Sequence, residues 1–195
     1  EEPPAYGVIL LLTTNADRFL PTILSRCITL NLKSVSEDEI KAHLMKKYQI
    51  PDYQADVCAA FAQGNVGKAI QLAASDEFNE LKTAALSVVK KLEDMDLYEL
   101  NQLIKQINEF KPKIQEYLDL LTIWFRDVLY MKATGDVNNL IFKDEVYDIK
   151  KQAAKRSFSG IENILQAIEL TRTRLKANVN FDLVIEMLLL AIKEN

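Results

Sequence analysis

From Ser34 to Asn195 the apolar residues keep a helical period, and nothing before Ser34 does. This change of period commits four-fifths of the chain to packed helices. Ser36-Glu37-Asp38-Glu39 fits a capping box, with the serine oxygen taking one orphan N–H and Glu39 reaching back. Ile40, Leu44 and Tyr48 then line one face. Pro51 breaks the chain. Asp52 to Ala62 reads as a second helix, Gly64-Asn65 as its end, and Val66 to Ala74 as a third. Three short helices make a small bundle. From Asp76 the helices lengthen. Phe78, Leu81, Leu86, Val89 and Leu92 mark one, and Leu97, Leu100, Ile104 and Ile107 the next. Pro112 opens a long helix through Ile114, Leu118, Leu121, Phe125 and Val128, which stops at Gly135. A polar loop leads to a helix near Asp144 to Lys155. Ser157 or Ser159 caps the following one, and Asn180 caps the last.

The segment before Ser34 reads differently. Gly7 to Thr13 is a continuous apolar run, the pattern of a strand buried on both faces. In Cys27 to Leu32, Ile28, Leu30 and Leu32 alternate with Thr29 and Asn31. The expectation is strand, short helix, strand. Two strands do not make a stable α/β sheet, so the missing strands are expected upstream. A start at Glu1-Glu2-Pro3-Pro4 without methionine suggests a piece of a longer protein.

Composition allows a buried core, with 49% hydrophobic and 27% charged residues. A formal net charge of −4 argues against a surface that grips nucleic acid throughout, though not against a local basic patch. Cys27 and Cys58 make neither a disulfide framework nor a zinc site, and read as thiols of a reducing cytoplasm. No segment has the length of a signal peptide core followed by a span, so no membrane association is expected.

Catalytic patterns are missing where they would be looked for. The nearest string to a phosphate loop is Gly64-Asn65-Val66-Gly67-Lys68-Ala69. Ala62 stands where the first glycine belongs, and Ala69 replaces the hydroxyl that would hold magnesium. His43 is the single histidine, without metal-ligand neighbours at useful spacing. Acidic pairs such as Glu37-Asp38-Glu39 and Glu93-Asp94 fall at helix ends, where they complement the macrodipole. Two basic clusters, Lys150, Lys151, Lys155 and Arg156, then Arg172, Arg174 and Lys176, read as solvated helix faces or as a phosphate or partner contact. Trp124 and Phe125 read as core. No intrinsic enzyme activity and no metal site are expected.

Glu1-Glu2-Pro3-Pro4, the apolar run ending in Thr13-Thr14-Asn15, and Leu20-Pro21-Thr22-Ile23-Leu24-Ser25-Arg26-Cys27 together resemble bacterial clamp loader subunits of the AAA+ class. The string Gly64 to Ile70 is similar to that family's lid, and the C-terminal helices to its collar. The resemblance implies a mainly α chain in three parts: residues 1–33 the end of an AAA+ α/β core, 34–75 a helical lid, and 76–195 a helical collar for oligomerisation.

Members that hydrolyse ATP, the tau and gamma type, carry a G-S-x-R-D-A-like lid motif whose arginine senses nucleotide. Gly67 occupies that position here, and Lys68 falls one residue late. The departure favours a non-hydrolysing, delta-prime-like subunit of DNA polymerase III over the tau/gamma-like alternative. Thr14 and Asn15 match the γ-phosphate sensor of active members and would be vestigial. Arg26 would be an arginine finger supplied to the ATP site of the next subunit. From the residues alone, Arg26 reads first as a cation capping the carbonyls of a short helix, and only the resemblance turns it into a finger. The resemblance further implies tau/gamma and delta subunits as partners, the sliding clamp and primer-template DNA through the complex, and a cytoplasmic location. ATP and Mg would sit at neighbouring subunits, with no cofactor on this segment. An unrelated helical interaction module with a chance Ser-Arg-Cys is the remaining rival.

Overall fold

The computed structural model describes residues 6–13 and 15–195. They fall into two units, Glu1–Lys33 and Ser34–Asn195, each described by itself.

In the first unit Asn15 caps a 3-10 turn at Ala16–Arg18, and Pro21 opens the one-turn helix α1 (Pro21–Leu24). The two expected strands are absent among the described residues: neither 7–13 nor 27–33 has regular secondary structure or a ladder. A strand exists through its cross-strand hydrogen bonds, and no backbone bond joins these two segments. Their apolar side chains are therefore uncovered, with Val8 86%, Leu12 91%, Ile28 92% and Leu32 95% exposed. Cys27, at the start of the second expected strand, is exposed for the same reason.

The second unit is helical. Helix α2 (Glu37–Tyr48) starts on the expected capping box, with Glu39 N–H donating to Ser36 Oγ and Ser36 N–H to Glu39 Oε2. It packs on α3 (Asp52–Ala62) and α4 (Val66–Ala73). Ile40 and Leu44 are buried, whereas Tyr48, in the last turn, is 41% exposed. Between α3 and α4 the chain turns through Gln63 and Gly64, both at positive φ, and Gly64 O accepts from Val35 N–H at 3.1 Å.

The helical array follows: α5 (Asp76–Lys91), α6 (Leu97–Glu109), α7 (Ile114–Thr134), α8 (Val146–Lys155), α9 (Phe158–Lys176) and α10 (Phe181–Glu194). Helix α7 is the hub, packed against α5, α8 and α9, while α10 packs on α9 and α6. Its buried residues run from Tyr117 through Trp124 and Phe125 to Met131 and include adjacent pairs such as Leu120 and Leu121. A helix buried on so wide a face has neighbours on several sides. Pro112 lies in a 3-10 turn before α7, and Gly135 ends that helix at φ 69°. Ser157 and Asn180 cap α9 and α10 through the N–H groups of Gly160 and Leu183. Leu97, placed on the core face by its period, is 76% exposed at the first position of α6. The loop after Gly135 is polar only at its start: Leu140, Ile141 and Phe142 are buried.

Candidate functional site

Leu20 is extended and Pro21 has its φ preset for a helix start, so α1 begins at a defined point. The turn closes through Ser25 N–H to Pro21 O at 2.9 Å and Arg26 N–H to Ile23 O at 3.0 Å. Ser25 Oγ donates to Thr22 O at 3.2 Å and finishes the helix. Arg26 thus stands on a hydrogen-bonded corner with its side chain exposed. No helix carbonyl among the described residues accepts a hydrogen bond from its guanidinium. A guanidinium held on a short rigid turn can present a planar fork of donors to an anion on another molecule.

Asn15 precedes this corner. Its Oδ1 accepts Asp17 N–H at 2.9 Å, and Thr13 Oγ1 both accepts Asn15 N–H at 3.0 Å and donates to Asn15 O at 2.9 Å. The Asn15 side chain is occupied as a local cap. Thr14 lies outside the described residues. Gly67 and Lys68 belong to the second unit, in the first turn of α4, where Lys68 N–H donates to Asn65 Oδ1 at 3.0 Å. A Cβ at Gly67 would meet nothing closer than that same oxygen at 3.4 Å, so space does not demand glycine there.

Much of the two basic clusters is consumed inside the array. Lys155 and Arg156 both reach Glu93, at 2.5 and 3.0 Å. Arg156 is buried, donates through Nη1 to Ile192 O at 2.8 Å and lies 5.6 Å from the Phe125 ring centre. Burial pushes Glu93 up, but Lys155, Arg156 and Lys151 hold it below its ordinary carboxylate value. Arg172 pairs with Asp119 at 2.7 Å and Glu169 at 3.1 Å, and donates to Thr122 Oγ1 at 3.2 Å. These cations fasten helices to one another. Lys150, Lys151 and Lys176 remain exposed. No three His, Cys, Asp or Glu side chains converge to hold a metal ion among the described residues. No helix there is long and apolar enough to cross a membrane.

The family described as "DNA polymerase III, delta subunit, C terminal" matches residues 77–194, more than half of the chain and nearly the whole helical array. The chain belongs to this family. A second family, described as "DNA polymerase III, delta subunit", matches residues 1–36, the segment that carries Arg26. Among curated proteins, DNA polymerase III subunit delta' of Bacillus subtilis (strain 168) is 28% identical over 197 residues, covering 100% of this chain and 59% of its own length. DNA polymerase III subunit gamma of Buchnera aphidicola subsp. Schizaphis graminum is 24% identical, covering 97% of this chain and 58% of its own. Subunit tau/gamma of Haemophilus influenzae is 38% identical over 77 residues, 37% of this chain and 11% of its own length. The chain thus spans less than two thirds of the length of these relatives.

Three polar residues that organise the array had no signature in the sequence. Asp127 is fully buried in α7 and accepts two backbone N–H groups. Gln152 accepts from Trp124 Nε1 at 3.0 Å and donates to Val89 O at 2.7 Å, joining α7, α8 and α5. Glu93 collects two cations from around the end of α8. An acid or amide on an amphipathic helix resembles a surface residue until its neighbours are known. Only the apolar residues around Asp127, at Leu120, Leu121, Trp124 and Val128, hinted that no polar face remained for it.

Proposed function

We propose that this chain is the C-terminal part of a delta-prime-like subunit of the DNA polymerase III clamp loader. In this reading residues 1–33 close an AAA+ core, 34–75 form a lid, and 76–195 form a collar that joins the other subunits. The subunit does not hydrolyse ATP. It holds tau/gamma and delta subunits in a ring that places the sliding clamp on primed DNA. Arg26 reaches the ATP and Mg of a neighbouring subunit and stabilises charge on the transferring phosphoryl group. The observation that carries the reading is the alignment of this whole chain to 59% of a delta' subunit, which covers both the Arg26 corner and the helical array. The exposed guanidinium on its hydrogen-bonded turn supports the trans role. The departure at Gly67 from the nucleotide-sensing arginine supports the non-hydrolysing role.

Co-purification of the full-length protein with its cognate tau/gamma and delta subunits tests the assembly role. A stable complex dependent on residues 76–195 is expected. Failure to assemble would overturn the clamp loader reading. The similarity to gamma and tau/gamma subunits favours a second reading, an ATP-hydrolysing subunit. Binding of a fluorescent ATP analogue by the isolated full-length protein, followed by turnover, would select it.

A further inference from the structure

The bundle α2–α4 and the array α5–α10 face each other across a cleft of about 190 Å³, with Lys41, Asp56 and Ala59 on one wall and Arg126, Asn138 and Lys143 on the other. The backbone crosses between them only at Ala74-Ser75. Near that crossing Phe61 of α3 meets Phe78 of α5 edge to face, with ring centres 5.1 Å apart. Asp56 lies five residues before Phe61, about 7.5 Å away along the helix axis. There its two oxygens are divided. Oδ1 takes Lys41 of its own bundle at 2.8 Å, and Oδ2 takes Lys143 of the array at 2.8 Å. Lys41 has a second partner in Asp52 at 2.7 Å, so the bundle keeps an ion pair of its own whether or not Lys143 is present.

Lys143 is not a loose surface cation. It directly follows Ile141 and Phe142, whose backbone N–H groups are both held by the buried Asp127 at 2.8 Å. Phe142 is itself buried, 6.0 Å from the ring of Trp124. The base of Lys143 is therefore fixed to the core of the array, while its ammonium end reaches across the cleft.

We propose that the Asp56–Lys143 pair is a latch that holds the small helical bundle closed against the array, with the Phe61–Phe78 contact as the pivot. The pair is an ion contact between part-exposed side chains at the edge of the cleft, so it can open without unfolding either side. An aromatic pivot with an ionic catch is an arrangement for reversible rotation, in which closure is weighted by a contact of order one ion pair.

Thiol-labelling rates read the opening directly. Ala59 lines the cleft and is 2% exposed, whereas Cys58 beside it is fully buried in the bundle. In the chain carrying Cys27→Ser, Cys58→Ala and Ala59→Cys, the labelling rate follows the open fraction. The chain carrying only Cys27→Ser reports bundle unfolding through native Cys58. Lys143→Met should raise labelling at position 59 about two- to fivefold, the population change one part-exposed ion pair can produce, and leave the Cys58 rate unchanged. In that reporter chain Lys143→Arg should keep the position-59 rate at the value seen with Lys143, and 1 M NaCl should raise the rate of the chain that retains Lys143. A rate at position 59 that Lys143→Met does not move would overturn the latch. An equal rise at Cys58 would overturn it too, because the bundle would then be melting and not swinging.

Discussion

Asp127 Oδ2 accepts the backbone N–H groups of both Ile141 and Phe142, each at 2.8 Å, from a side chain buried in the middle of α7. One carboxylate thereby ends the loop that follows Gly135 and draws Leu140, Ile141 and Phe142 into the core. Burial pushes its carboxyl above the usual range, and the two N–H bonds and nearby Arg126 pull down without cancelling that. Because the folded value is raised, the contribution of its titration to stability is fully present below about 4 and lost as pH rises through the folded value. Asp127→Ala would leave two buried N–H groups unpaired and should cost roughly 2–5 kcal/mol in urea unfolding. Asp127→Asn keeps an acceptor and should cost less than half as much. Equal losses for the two would show that the hydrogen bonds are not what holds the loop.

Glu93 is the opposite case. Its folded value is lowered, so its contribution is present above its ordinary 4.5 and is lost as pH falls through the folded value. Glu93→Gln would leave the buried Arg156 with a weaker partner and should destabilise the chain by about 3 kcal/mol at pH 7. The loss should begin to shrink as both proteins are taken below pH 4.5 and should vanish below the lowered folded value, where the native carboxylate is also neutralised. Thermal unfolding at a series of pH values checks this. A difference that does not change with pH would exclude the ion pair as its source.

At Gly64 the backbone has φ 87°, and a Cβ there would lie 2.4 Å from Ser34 Cβ and 2.9 Å from Ser34 Cα. Both terms act against a side chain, since non-glycine residues are strained at positive φ and the neighbouring atoms belong to a short side chain and to backbone. Gly64→Ala should cost more than about 1 kcal/mol. Ser34→Gly in the same chain should recover part of that loss by removing the nearer atom. Additive effects in a double-mutant cycle would contradict the collision.

Most helix starts were legible because capping is local chemistry. Ser36 with Glu39, Ser157 and Asn180 act within three residues of their partners, and the α3 bounds follow from Pro51 and the Gln63-Gly64 turn. The burial of Leu140 to Phe142 was not legible. Three apolar residues are too few to show a period, and the group that buries them is fourteen residues away in α7. Arg156 and Arg172 looked like members of solvated basic faces because their partners Glu93 and Asp119 are distant in sequence. At the N-terminal end the alternation in Cys27 to Leu32 specifies two faces of a chain, but a strand also needs a partner edge, and 7–13 does not supply it. The corner that holds Arg26 was legible, being a proline start and a serine stop within five residues. The function proposed for Arg26 depends on a second molecule, which no local pattern in the sequence describes.

The most direct test of the account uses the full-length protein assembled with its cognate delta and tau/gamma subunits, in a complex where only the subunit adjacent to Arg26 retains a working phosphate loop. ATP hydrolysis stimulated by clamp and primed DNA is compared for the native chain, Arg26→Lys and Arg26→Ala, after assembly of each is verified. The account predicts a loss of about 10³-fold or more for Arg26→Ala, the worth of a trans arginine in other phosphoryl transfers, with Arg26→Lys also severely impaired because an ammonium lacks the planar fork. Hydrolysis at the native rate by an intact Arg26→Ala complex would contradict the finger and leave this chain a scaffold.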